Sequence, residues 1–258
     1  TYAPPTWIGL DNYKEMFTED PLFFHSLKIT LKFILLWQPL SIVLGVLLSL
    51  LLNQKLRGMN FFRTLFYAPA VLSGVAVALM WISLLDPDFG VLNFLLREIG
   101  IENPPHWLQN PKYTIYSLML MFTWGVGGGA VIYLAGLQNI SPHLYEAAEI
   151  DGANSWTKFG RITLPLLSPT IFFMLITGLI GGFQIFTTAY VIGGGTGGGP
   201  AYSLMFYLLH LYSEAFVEGR FGYAAGLAWV LVVIAVVVVF VVFRTSERWV
   251  YYETGARA

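Results

Sequence analysis

The chain has 258 residues, of which 56% are hydrophobic and only 11% charged, and its mean hydropathy is +0.66. A soluble domain of that size needs far more charge on its surface, so the composition points to a polytopic membrane protein. A formal net charge of −1 leaves no electrostatic footprint for nucleic acid, and the absence of cysteine excludes disulfide frameworks and thiolate metal sites.

Residues 1–20 contain Pro4, Pro5, Trp7, Gly9 and four acidic residues, and read as an interfacial loop. No charged-then-apolar leader is visible, and the natural N-terminus is expected to lie before Thr1. Lys28 and Lys32, four residues apart, share a helix face from which they can snorkel to lipid headgroups. The uncharged run over residues 33–54 follows. It is long enough to cross a hydrocarbon core about 30 Å thick, which takes about 20 apolar residues.

Further uncharged runs occupy residues 64–85, 113–137, 166–192 and 221–243, making five expected spans. Backbone polar groups cannot stay unpaired in lipid, and the alternation of barrel strands is absent, so the spans are expected to be helices of an all-α membrane protein. Between the second and third spans, Pro87, Pro104, Pro105 and Trp107 predict a loop with a short interfacial helix over 91–99.

The third span carries Trp124-Gly125-Val126-Gly127-Gly128-Gly129, and the fourth carries Gly178, Gly181, Gly182, Gln184, Thr187 and Thr188. Small-residue clusters let helices approach or bend and are packing devices first. Trp124 lies near mid-span, away from the interfacial belt where Trp usually sits. A flat aromatic face beside amides and hydroxyls suits a sugar. Trp124, Gln184 and Thr188 therefore belong to a candidate substrate path.

Between these two spans lies the one long segment in which charge and helix punctuation occur together, residues 141–169. Ser141 followed by Pro142 reads as a helix start, with a hydroxyl N-cap and a proline whose missing N–H is harmless in the first turn. Gly152 can end that helix in the left-handed conformation. Asn154 or Ser155 can cap a second one carrying Trp156, Phe159 and Ile162, which Pro165 is expected to close. Helices this short rarely hold together alone in water, so they need a surface to lie against. Ala147 and Ala148 allow close approach to it, and Glu146 offers a charge to a basic partner group.

Glu146-Ala147-Ala148, Asp151-Gly152-Ala153, Phe159 and Ile162-Thr163-Leu164-Pro165 are eleven positions in order. They resemble the cytoplasmic "EAA" loop of permease subunits in binding-protein-dependent ABC importers, the sugar and glycerol-phosphate branch with its maltose-type permeases. Ile8-Gly9-Leu10-Asp11-Asn12-Tyr13 and Thr196-Gly197-Gly198-Gly199-Pro200 resemble further segments of the family. Gly193–Gly195 look like an insertion, and Thr187 stands where many relatives carry Asp; both departures bear on the substrate more than on the class.

The resemblance implies one transmembrane permease domain over 1–258 of the type I ABC importer kind, with six spans once a helix before Thr1 is counted. Residues 141–165 would be its coupling loop, and Glu146, Ala147, Ala148, Asp151, Gly152 and Ala153 would contact an ATPase subunit. Matching to the sugar-contacting region adds Gly125, Gly128, Gly178, Gly182 and Ile185 to Trp124. The implied partners are a second homologous permease, two cytoplasmic ATP-binding subunits, an extracytoplasmic solute-binding protein and membrane lipid. Mg-ATP would bind in the partner subunits, with no cofactor or metal in this chain.

Loop charges give the orientation. Lys55, Arg57, Arg63, Lys158, Arg161, Arg244, Arg248 and Arg257 flank one set of span ends, and half as many basic residues, Lys14, Arg97, Lys112 and Arg220, flank the other. The richer set should be cytoplasmic, placing the C-terminus inside and Thr1 outside a bacterial inner membrane. No catalytic constellation is found. His25, His106, His143 and His210 are scattered near span ends and read as interfacial, and metalloprotease, nucleophile-elbow and Walker lysine motifs are absent. No Asp or Glu lies within the five spans. That weakens the alternative of an ion-coupled secondary transporter, and a plain channel would leave residues 141–165 unexplained.

Overall fold

The computed structural model describes residues 6–251, so Thr1, Pro4, Pro5 and Arg257 lie outside the described residues. Helices run in the order α1 (Asp11–Thr18), α2 (Pro21–Leu52), α3 (Met59–Tyr67), α4 (Gly74–Leu84), α5 (Val91–Glu98), α6 (Pro111–Trp124) and α7 (Gly127–Gln138). They continue with α8 (Pro142–Ile150), α9 (Ser155–Lys158), α10 (Leu164–Phe183), α11 (Thr187–Ile192), α12 (Tyr207–Phe216) and α13 (Phe221–Ser246). No strand occurs among the described residues, as the all-α expectation requires. The interfacial helix expected over 91–99 is α5.

Among the described residues, three stretches are apolar and long enough to cross a membrane: Pro21–Leu52, Ser155–Ile192, which breaks at 184–186 before α11, and Phe221–Ser246. The second and third expected spans are bent pairs instead, Met59–Val71 with Gly74–Leu84 at 97° and Pro111–Trp124 with Gly127–Gln138 at 51°. Counting each pair as one span gives up to five. The sharper bend arises where Leu72 (ψ 147°) and Ser73 (ψ 131°) leave the helical region just after Pro69. At the other, Gly125 and Val126 tighten to i→i−3 bonds on Phe122 O and Thr123 O before α7 begins. Hydropathy does not see either event, because the two halves of each pair are together long and apolar enough to read as one span.

The chain divides into two compact units. One consists of the chain up to Leu35, Ser73–Leu118 and Gly181–Val236. Its core gathers Met16, Phe23, Tyr207, Tyr223 and Leu227. Tyr207 is anchored at both ends, its N–H donating to Thr30 Oγ1 and its hydroxyl to Leu227 O, each at 2.9 Å. Asp20 caps α2 by accepting from Leu22 N–H and Phe23 N–H, and its other oxygen takes Tyr223 OH at 2.6 Å and His210 Nε2 at 2.7 Å. His210 is thus a buried core residue, 1% exposed, and not an interfacial one. A buried polar cluster replaces the interfacial position expected for it because His210 and Asp20 lie far apart in sequence and meet only in the fold.

Burial pushes the Asp20 carboxyl up, but the Tyr223 hydrogen bond, the charge and hydrogen bond of His210 and the Leu22 N–H outweigh it, leaving it below its ordinary 3.8. The unfolded carboxyl therefore holds its proton more tightly than the folded one. The stability this provides is complete above the unfolded value and is lost as pH falls through the folded one. Asp20→Asn should accordingly flatten the fall of the thermal midpoint in detergent between about pH 5 and about pH 3. An unchanged pH profile would remove Asp20 from the account.

The other unit consists of Leu36–Leu72, Met119–Ile180 and the chain from Val237 onward. Val46, Tyr133, Leu137, Ile140 and Leu167 form its core. Close helix approach is written into its glycines: a Cβ on Gly45 would lie 2.7 Å from the Tyr133 ring, and one on Gly127 would lie 1.8 Å from Phe66 O.

Candidate functional site

The segment after α7 builds two short helices facing outward. Pro142 opens α8 as expected, but Ser141 makes no side-chain cap bond, so the start is set by the proline alone. Gly152 ends α8 at φ +76°, with its N–H donating to Glu149 O and Ala153 N–H reaching back to Ala148 O at 2.8 Å. That pair of bonds satisfies carbonyls the helix end would leave bare. Asn154 then caps α9, accepting from Thr157 N–H at 2.9 Å and from the Thr157 hydroxyl at 3.0 Å.

Pro165 does not close the second helix. A π turn, Phe159–Thr163, follows α9 directly and leads into α10 with Pro165 in its first turn. Leu164 N–H reaches back five residues to Phe159 O, and this wider ladder carries the helix past a proline that lacks an N–H for a regular bond. The expected stop is therefore passed, and helix runs on from Ser155 through the π turn to Phe183.

Of the six residues singled out in this segment, Glu146, Ala147, Asp151 and Gly152 are exposed, and Ala148 and Ala153 are half-buried. Glu146 Oε2 lies 3.1 Å from His143 Nδ1, both at the surface, and Glu149 pairs with Lys158 Nζ at 2.6 Å. Ile150 is 88% and Trp156 84% exposed. Two large apolar side chains are thus left bare on helices too short to be stable alone.

The residues of the candidate path separate into two kinds. Gly128, Gly178 and Gly182 are points of close packing, since a Cβ there would lie 2.9 Å from Ala70 Cβ, 2.2 Å from Gln38 Oε1 and 2.5 Å from Ile34 Cγ1 respectively. Ile185 is buried and Thr188 half-buried. Trp124 and Gly125, at the α6–α7 bend, and Gln184, between α10 and α11, are exposed. Trp124, Gly125, Gly128 and Gly178 belong to one compact unit, and Gly182, Gln184, Ile185 and Thr188 to the other.

Sequence reasoning missed Gln38. It is 5% exposed inside α2, and its Nε2 donates to Met174 O at 3.1 Å through the space left by Gly178. A lone amide in an apolar run is the signal that would have found it, because such a group needs a partner on a neighbouring helix. Among the described residues, no group of three or more His, Asp or Glu could hold a metal ion.

A family model described as binding-protein-dependent transport system inner membrane component matches residues 41–250. The Probable ABC transporter permease protein YesP of Bacillus subtilis (strain 168) is 42% identical over 254 residues, covering 98% of this chain and 82% of that protein. The lactose transport system permease protein LacF of Rhizobium radiobacter is 38% identical, over 89% of this chain and 78% of its own. Among solved structures, a bacterial alginate ABC transporter in complex with alginate pentasaccharide-bound periplasmic protein contains a similar chain. It has a TM-score of 0.84 and 26% identity, and the match covers 93% of this chain and 83% of that one.

Proposed function

The chain belongs to the family of binding-protein-dependent transport system inner membrane components and is an ABC transporter permease, and on that premise we propose that it carries a sugar or related polyol or oligosaccharide inward by alternating access. The observation that carries the reading is the exposed pair of short helices, α8 and α9, with Ile150 and Trp156 bare at their surface. In this reading residues 141–165 dock on a cytoplasmic ATP-binding subunit, with Glu146, Ala147, Ala148, Asp151, Gly152 and Ala153 in the contact. ATP hydrolysis, with its Mg-ATP, takes place in two such partner subunits. A second homologous permease completes the membrane pore, and an extracytoplasmic solute-binding protein delivers the substrate.

Sidedness follows from the basic loops: Lys55 to Arg63, Lys158 to Arg161 and Arg244 to Arg248 face the cytoplasm, with the C-terminus inside. The lactose and alginate names of the similar proteins support a saccharide substrate. So does the open face of Trp124 with Gly125, Gly128 and Gly178 in one unit, and so do, separately, the polar Gln184 and Thr188 with Gly182 and Ile185 in the other. Uptake by proteoliposomes of the assembled complex should require enclosed ATP and added binding protein, and persist when proton and sodium gradients are collapsed. Uptake that follows an ion gradient without ATP would return the ion-coupled carrier.

Trp124→Ala should lower uptake about tenfold, the effect of removing one stacking face worth roughly 1–1.5 kcal/mol. Basal ATP hydrolysis and assembly should stay unchanged, since no docking contact is touched. Uptake at the parent rate would move Trp124 among the packing residues.

A further inference from the structure

The short helices are tied to the long helix behind them by a contact that docking by itself does not require. The Tyr145 hydroxyl lies 2.9 Å from Thr163 Oγ1. Thr163 also donates to Lys158 O at 3.4 Å, which leaves its oxygen to accept the Tyr145 proton. Thr163 is buried and is the last residue of the π turn. The bond therefore runs from α8 across α9 and the whole turn to the start of α10.

The only other side-chain-to-side-chain tie from α8 to α9 or the turn among the described residues, Glu149 with Lys158, has its carboxylate in solvent, where ion pairs contribute little. Beneath the bond, Tyr145, Phe159 and Ile162 pack on the core around Tyr133 and Leu167. A nine-residue helix has little stability of its own. A π turn, with its wider and poorer ladder, is a place where a helix can give. Force applied to α8 would be absorbed there unless α8 were fastened to the far side.

We propose that Tyr145 is a positioning residue of the transport cycle, whose bond to Thr163 makes α8, α9 and the head of α10 turn as one lever. Movement of the ATP-binding subunits is then delivered to a membrane helix instead of being lost in the π turn. This rests on the reading that residues 141–165 dock on those subunits.

The chain has no cysteine, so spin labels at Ser141→Cys and Arg161→Cys can report the distance between α8 and the turn in the assembled complex. Distances would be compared without nucleotide and with Mg-ATP and vanadate. With Tyr145 and Thr163 intact, the distribution should be narrow and the same in both states. Tyr145→Phe or Thr163→Val should widen it and lower binding-protein-stimulated ATP hydrolysis about two- to tenfold per assembled complex, the effect of one hydrogen bond. Thr163→Ser should restore both readouts, and the double variant Tyr145→Phe/Thr163→Val should be no worse than the weaker single, since both remove the same bond.

A merely structural role would lower yield and thermal stability without changing either readout per assembled complex. Unchanged distances and hydrolysis in both single variants, with Glu146→Lys still defective, overturn the lever alone. If Glu146→Lys also hydrolyses normally, the docking reading has failed and the lever falls with it.

Discussion

Glu146→Lys should reduce transport and binding-protein-stimulated ATP hydrolysis together by about 10- to 100-fold, with the complex still assembled. The carboxylate stands on the exposed side of α8, in reach of no basic group but His143 among its described contacts. In the proposed docking this carboxylate would accept a charge-assisted hydrogen bond from a partner Arg or Lys, worth about 1.5–3 kcal/mol, and Lys would replace that attraction by repulsion. Gly152→Val reaches the same end by another route. Nothing lies within 4 Å of a Cβ at that position, so the effect is backbone strain alone at φ +76°. Left-handed backbone costs an L residue about 1–2 kcal/mol, and a β-branched one more, so the α8–α9 turn should open and misplace both helices. Affinity of the separate solute-binding protein for its sugar should not change. Normal stimulated hydrolysis in complexes of normal stoichiometry, for either variant, would refute the docking of this segment.

Gly127→Ala should prevent accumulation of folded protein, although it adds a single methyl group to a helix. That carbon would lie 1.8 Å from Phe66 O and 2.5 Å from Phe66 C, backbone atoms that no rotamer change can move aside. Extra methylenes in a packed core typically cost about 1–3 kcal/mol, and a clash of backbone with backbone lies at or beyond the top of that range. Gly181→Ala is the matched comparison, because a Cβ there meets nothing within 4 Å and α10 gains in helix propensity. Thermal midpoints and monodispersity in detergent should separate the two variants clearly. If Gly127→Ala folds and melts like Gly181→Ala, the close contact of α7 with α3 is not needed.

Much of the molecule is legible from local signals. Uncharged runs place the membrane-crossing helices, since burying a charge in lipid is expensive wherever the rest of the chain goes. Pro142, Gly152 and Asn154 place the ends of α8 and the start of α9, because capping and left-handed backbone are settled within a few residues. The exposed acidic helix and its approach-permitting alanines are visible for the same reason. Even the uneven share of basic residues between the two sets of loops is a property of composition, readable before any fold is known.

What only the tertiary structure decided are the contacts between residues distant in sequence. The bends after Val71 and after Trp124 belong there, as do the seating of Gly127 on Phe66 and the entry of Gln38 into the space above Gly178. Burial of His210 against Asp20 and passage of the helix through Pro165 by a π turn are of the same kind. In each case the residue by itself allows two outcomes. A glycine in an apolar span is equally consistent with packing or with a binding surface, and a histidine near a span end with lipid or with a carboxylate. The choice is made by which backbone or side chain arrives opposite, and hydropathy and spacing carry no information about that partner. The sequence by itself determined that this chain crosses the membrane and carries a pair of short, capped helices between two of its spans. The fold decided which of its glycines are places of contact between helices, because at Gly45, Gly127, Gly128, Gly178 and Gly182 the facing atoms, less than 3 Å from a missing Cβ, leave no room for a side chain.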